Sequence, residues 1–211
     1  DQSSSAQRNL ATEARACIEI TYNSHGFRGN EFEKEKPDNT FRIFAVGGSS
    51  TFGSAAFDNE TWPAHLQQVI KEKITDEEIE VINFGQGGAR SDSEYELIKN
   101  KLLSFDPDLI IMYDGWNDDR FNVKKTIQNW ESVCKLGNDE GFDTIIIVQP
   151  MPITGLRVLT EQEISNSFLN LKYLQKSQQY VDALEELDNV CTETADFRSI
   201  FDYIQEPIFY D

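Results

Sequence analysis

Phe41-Arg42-Ile43-Phe44-Ala45-Val46-Gly47-Gly48-Ser49-Ser50-Thr51-Phe52-Gly53 is the stretch on which the reading of the fold turns. Its first half is a short, nearly unbroken apolar run, the signature of a strand buried on both faces. Its second half is a glycine turn that delivers a hydroxyl. Three further runs repeat the first half: Glu80-Val81-Ile82-Asn83-Phe84, Leu109-Ile110-Ile111-Met112-Tyr113 and Thr144-Ile145-Ile146-Ile147-Val148. Ser199-Ile200-Phe201-Asp202 is a weaker candidate for a fifth strand.

Amphipathic stretches separate these runs, so the chain alternates between strand and helix as a parallel sheet covered by helices does. Trp62, Leu66, Val69 and Ile70 share one face of a helix over 62–74. Ser91-Asp92-Ser93-Glu94 has the form of a capping box and opens a helix through Leu103, ahead of Pro107. A third helix is expected over 121–136. A second box, Thr160-Glu161-Gln162-Glu163, precedes Ile164, Phe168 and Leu171 at helical spacing, and Val181, Leu184, Leu187 and Cys191 resume it, as one long helix or a broken pair. The expectation is an α/β fold, a three-layer α/β/α sandwich with a five-stranded parallel sheet of flavodoxin-like type. Residues 1–40 read as a lead-in that wraps the domain, with an exposed turn at Ser24-His25-Gly26-Phe27-Arg28-Gly29, and residues 41–211 as the domain itself.

A chain of 211 residues with 39% hydrophobic content suits one such domain. Its 37 acidic and 19 basic side chains give a formal net charge of −18, a field that repels phosphate backbones and anionic membrane surfaces. Nucleic acid is therefore not an expected partner, and the excess charge reads as a solvated surface. Cys17, Cys134 and Cys191 are too few for a disulfide scaffold; one disulfide plus a free thiol fits. No apolar run reaches the roughly 18 residues a membrane span requires. The first residue is Asp1, and removal of an upstream segment would favour an extracytoplasmic or membrane-anchored setting.

In an open parallel sheet, ligands bind beyond the carboxyl ends of the strands. Three such junctions stand out: Gly47-Gly48-Ser49-Ser50-Thr51 after the first strand, Gly85-Gln86-Gly87-Gly88-Ala89-Arg90 after the second and Asp114-Gly115-Trp116-Asn117-Asp118 after the third. A phosphate-binding loop of Walker type needs a lysine that neither glycine loop has, and Arg90 stands where the last glycine of a dinucleotide fingerprint belongs. What remains is a nucleophile on a tight turn with backbone N–H groups free for an oxyanion, against the plainer reading of a turn and helix cap. Asp114, Asp118 and Asp119 read as a solvated acidic loop rather than a cation site, and Arg90 as a surface arginine.

Taken together and in order, these segments resemble the SGNH hydrolases, also called GDSL esterases. Gly47-Gly48-Ser49 resembles their first block, Asn83 to Gly88 their second, and Gly115-Trp116-Asn117-Asp118 their third; Asn23 to Gly29 and Gln149-Pro150 to Glu163 look like a subset of the family. The resemblance implies that Ser49 is the nucleophile and that the oxyanion hole comprises the N–H groups of Ser49 and Gly88 and the side chain of Asn117. It implies a serine esterase with no metal or organic cofactor, acting on a small-molecule or carbohydrate ester. An O-acyltransferase on a carbohydrate and a non-catalytic carbohydrate- or lipid-binding module are the alternatives. Gly48 departs from the family's aspartate, removing a side chain that helps hold the turn.

A serine needs a base. His25 and His65 are the two histidines, and neither occupies the family's position. The family's last block, Asp-x-x-His, is matched at Asp211 by its first residue, which would orient the histidine. The expectation is that the natural protein continues through that histidine and that residues 1–211 alone are inactive or nearly so.

Overall fold

The computed structural model describes residues 19–120, 122–166 and 171–209. Five strands form one sheet: β1 (Thr40–Gly47), β2 (Glu78–Asn83), β3 (Leu109–Asp114), β4 (Asp143–Val148) and β5 (Glu193–Asp196). Their spatial order is β2-β1-β3-β4-β5, and every neighbouring pair is parallel. The helices are α1 (Ser49–Phe52), α2 (Trp62–Lys73), α3 (Ser91–Asn100), α4 (Val123–Glu140), α5 (Glu161–Asn166), α6 (Leu171–Asp182) and α7 (Leu184–Leu187). The chain winds from β1 outward to β2, then back across β1 to β3, so the direction of winding reverses between β1 and β3. A crevice at such a switch point is where doubly wound sheets take their ligands.

Side chains alternate across the sheet as the strand period demands. Phe44, Val46, Ile82, Ile110, Met112, Ile146 and Val148 enter the larger core with Ile98 of α3, Trp130 and Val133 of α4 and Tyr180 of α6. Ile43, Ile79, Ile111 and Ile147 point the other way, toward Trp62, Leu66 and Ile70 of α2. Arg42 interrupts the apolar run of β1 yet is fully buried, because it pairs with Glu80 at 2.7 Å and donates to the carbonyls of Glu33 and Phe105. A guanidinium with donors engaged on all three of its nitrogens can be kept inside where a lone one could not.

Several expectations are corrected. The fifth strand is Glu193–Asp196; residues 199–202 lie in the turns that follow it. It forms one edge of the sheet with both end residues exposed, so it lacks the apolar run that marks a central strand. The turn at Ser24–Gly29 is not simply exposed: Phe27 and Arg28 are buried, and Phe27 packs edge-on against Phe84. The box at Ser91–Glu94 does not form. Ser93 closes the helix instead, accepting from the Arg90 N–H and donating to its carbonyl, while Ser91 and Glu94 turn inward. The second box does form, with the Thr160 N–H on the Glu163 carboxylate and the Glu163 N–H on the Thr160 hydroxyl. The α-helix begun at Ser91 ends at Asn100 and passes into a tighter turn over Leu102–Phe105, and the helix expected over 121–136 extends to Glu140.

Cys134 of α4 and Cys191, just ahead of β5, form a disulfide across a sequence separation of 57 residues. Cross-linking a loop of that length removes chain entropy equivalent to about 4 kcal/mol in the entropic account. Replacing both cysteines with serine is expected to lower unfolding stability by about 2–4 kcal/mol in urea titrations; an unchanged midpoint would show the bridge to be dispensable.

Candidate active site

Ser49 sits at the first position of α1, directly past the carboxyl end of β1. At that position its N–H has no intrahelical acceptor, and the helix N-terminus favours developing negative charge. The short helix is fastened from below. Asn83, the last residue of β2, donates to the Thr51 carbonyl at 2.9 Å and accepts from the Gly85 N–H at 2.9 Å. The Gln86 N–H reaches the Gly47 carbonyl. Gly85 permits this approach, since a Cβ there would lie 2.2 Å from the Phe52 nitrogen.

Arg28 fastens it from the side. The buried guanidinium pairs with Asp58 at 2.8 Å and donates to the carbonyls of Phe52, Gly53 and Ala56, spanning the end of α1 and the loop beyond it. Sequence reasoning placed Arg28 in an exposed turn, and its role was not visible there. The signal was its place in the Asn23–Gly29 segment.

The third junction closes over the first. The Asn117 amide donates to the Ala89 carbonyl at 2.7 Å, which ties the loops after β3 and β2 together and leaves its second N–H for another acceptor. The amide also stands against Gly48, where a Cβ would lie 2.3 Å from Asn117 Nδ2. The glycine that departs from the family's aspartate therefore makes room for the asparagine. Gly88, with φ of +74°, lies on the exposed loop between them. The structure thus gathers the Ser49, Gly88 and Asn117 segments at the β1/β3 switch point. Asp211 lies outside the described residues.

Asp114 and Asp118 are corrections: neither belongs to a solvated acidic loop, for both are buried. Asp118 accepts from the hydroxyls of Ser91 and Thr126, and Asp114 from the Gly115 N–H and the Trp130 indole, so the two carboxylates anchor the loop that carries Asn117. On its outer side Tyr173 of α6 donates to the Gly115 carbonyl and packs on Trp116. Beneath lies Glu94, also buried, with no hydrogen-bond partner for either carboxyl oxygen among the described residues.

Burial, reinforced by the charges of Asp114 and Asp118, pushes Glu94 well above the ordinary carboxylate range; burial and then Asp118 push Asp114 up to about 7. Because both groups are raised on folding, the stability they contribute is complete below the ordinary carboxylate range and is lost as pH rises, for Asp114 through about 7. Glu94→Gln, which stays neutral, is expected to gain stability relative to the parent as pH rises above the ordinary carboxylate range and to match it at pH 4, as read by thermal melts. A difference independent of pH would contradict the assignment.

His25 is not placed to serve Ser49. His25 sets its ring against Phe32 and Phe105 and meets the Phe32 carbonyl at 3.0 Å, near the amino end of β3 and so at the opposite edge of the sheet. His65 is exposed on α2. Among the described residues no group of three or more His, Cys, Asp or Glu side chains is arranged to hold a metal ion, and no helix is long and apolar enough to cross a membrane.

No protein-family model and no curated protein matches the chain. Solved structures do. AlinE4, an SGNH-hydrolase family esterase, is 20% identical with a TM-score of 0.58 over 83% of this chain and 86% of that one. The acetyl xylan esterase AlAXEase is 18% identical with a TM-score of 0.57, covering 77% and 80%. A protein of the lipolytic G-D-S-L family from Desulfitobacterium hafniense DCB-2 is 16% identical with a TM-score of 0.55, covering 74% and 77%. At such identities the likeness speaks for architecture. With its 2-1-3-4-5 parallel sheet and the glycine-serine turn at the switch point, the chain has the fold of the SGNH hydrolases.

Proposed function

We propose that the protein is a serine esterase that cleaves a carboxylic ester, acyl or acetyl, through an acyl-Ser49 intermediate. The observation that carries this reading is the meeting, at one crevice, of a serine at a helix N-terminus with the Gly88 loop and an asparagine amide bonded across to Ala89. In the reaction the Ser49 hydroxyl adds to the ester carbonyl and gives its proton to a base. The negative oxygen is held by the N–H groups of Ser49 and Gly88 and by the free N–H of Asn117. Collapse expels the alcohol, which takes the proton, and water then repeats the sequence on the acyl-serine. The resemblance to the SGNH hydrolases assigns the base to the histidine of an Asp-x-x-His block, whose first residue Asp211 matches.

The esterases among the structural neighbours, one an acetyl xylan esterase, support an ester as substrate and leave an acetylated carbohydrate as a natural candidate. A net charge of −18 disfavours polyanionic substrates. The Cys134–Cys191 disulfide favours an oxidising, extracytoplasmic setting. Incubating the full-length protein with p-nitrophenyl acetate tests the reading: turnover that disappears in Ser49→Ala supports it. Equal background turnover by both proteins would leave the fold as a non-catalytic binding module.

A further inference from the structure

Glu94 of α3, Asp114 at the end of β3 and Asp118 in the loop that follows lie close enough to repel one another, with 1%, 2% and 0% of their surface exposed. Among the described residues none of the three forms an ion pair with a lysine, arginine or histidine. α3 packs on α4, on β1 and on the turn over Leu102–Phe105, which carries no titratable side chain. The polar side chains that α4 buries are neutral: Thr126, Asn129 and Trp130. Arg42 of β1 is engaged by Glu80 and by backbone carbonyls, and Asp92 of α3 is partly exposed and pairs with Arg90 at 3.4 Å.

Two of the three have donors. Asp118 accepts from the N–H and hydroxyl of Ser91 and from the Thr126 hydroxyl, and the Asn129 amide backs the Ser91 oxygen at 2.8 Å. Asp114 accepts one N–H on each oxygen, that of Gly115 at 2.6 Å and that of the Trp130 indole at 2.8 Å. Neither oxygen of Glu94 meets an N–H or hydroxyl donor among the described residues, and the group within its hydrogen-bonding reach is the Asp114 carboxyl. Two ionised carboxylates cannot share a hydrogen bond, so one of them holds a proton. N–H donors on both oxygens favour the charged form of Asp114, whereas burial without a donor favours the neutral form of Glu94. Burial first, then the charges of Asp114 and Asp118, raise Glu94 well above the ordinary carboxylate range. Its donated hydrogen bond is therefore complete below that raised range and is lost as pH rises through it.

We infer that Glu94 is a positioning residue of the oxyanion hole that works as a neutral acid: its O–H donates to Asp114, whose two oxygens hold the Gly115 N–H and the Trp130 indole and so fix the turn on which Asn117 stands. The catalytic use of that turn rests on the Ser49 esterase reading; the place of the proton rests on the buried carboxyls. Glu94 touches no substrate and acts through Asp114.

The test uses full-length protein and two readouts that need no turnover. At pH 8 ordinary side-chain carboxyls are ionised, so in the infrared a protonated carboxyl stands out by a carbonyl stretch well above the carboxylate bands. The parent should show this band, Glu94→Gln should lose it and Asp114→Asn should keep it. Hydrogen exchange then reads the hold on the turn. Glu94→Leu should speed exchange at the Gly115 amide and the Trp130 indole about 10- to 100-fold, as loss of a hydrogen bond to a charged acceptor does, while Glu94→Gln, a neutral donor of the same shape, should stay within about threefold of the parent. The amides of α2 should keep their rates in both variants; a merely structural role would speed them as well. Absence of the band from the parent, a band that survives in Glu94→Gln and is lost in Asp114→Asn, or exchange as fast in Glu94→Gln as in Glu94→Leu would overturn the inference. Turnover of p-nitrophenyl acetate that survives in Ser49→Ala would instead overturn the esterase reading, and with it the catalytic use of the turn, while the band would still show where the proton sits.

Discussion

Asn117→Ala is expected to lower kcat on p-nitrophenyl acetate about 100- to 1000-fold, the usual consequence of removing one oxyanion donor. Two losses combine in this variant. The amide N–H that would meet the developing oxyanion disappears, and so does the 2.7 Å bond to the Ala89 carbonyl that holds the loop after β2 against the loop after β3. The second loss loosens the Gly88 segment on its side toward β3. Asn117→Asp separates shape from donation, since it fills the same space against Gly48 but presents only acceptors at neutral pH. It should therefore be as impaired as the alanine variant. A kcat within threefold of the parent for either variant would remove Asn117 from the oxyanion hole.

Arg28→Met is expected to cost about 3–5 kcal/mol of unfolding stability, because it leaves buried acceptors without their donor. Asp58 would keep the Thr21 N–H but lose its ion pair, and the carbonyls of Phe52, Gly53 and Ala56 would lose the guanidinium that gathers them. These carbonyls end and follow the four-residue helix that begins with Ser49, so activity should fall even under conditions where the variant remains folded. Urea titration together with the esterase assay checks both parts. An unchanged urea midpoint would mean that water replaces the guanidinium freely, which its burial argues against.

The central strands and the three junctions were legible in the sequence because their residues meet the same environment on both sides. Ile110, Ile111 and Met112 are apolar wherever they point, since both faces of β3 are covered. Glu193–Asp196 was not legible, because an edge strand with exposed ends needs no apolar run. Charged residues misled in one consistent way. Arg28, Asp114 and Asp118 read as surface groups, and each is buried by partners distant in sequence: Asp114 meets Trp130, Asp118 meets Ser91, and Arg28 meets Asp58. No local pattern announces such a partner. The capping box at Ser91 failed for the same reason, since Asp118, 27 residues away, takes the serine hydroxyl that local geometry would assign to the helix end.

The spacing of the glycines was visible, but the need for them was not. Gly85 is required by the Phe52 backbone and Gly48 by the Asn117 amide, and both contacts exist only once the strands are side by side.

The claim on which the rest depends is that Ser49 is a nucleophile, and covalent capture tests it most directly. Full-length protein treated with a fluorophosphonate probe, then digested and analysed by mass spectrometry, should carry the phosphonyl group on the peptide containing Ser49 and lose the label in Ser49→Ala. Absence of label from the folded full-length protein, or label on another residue that persists in Ser49→Ala, would contradict the account.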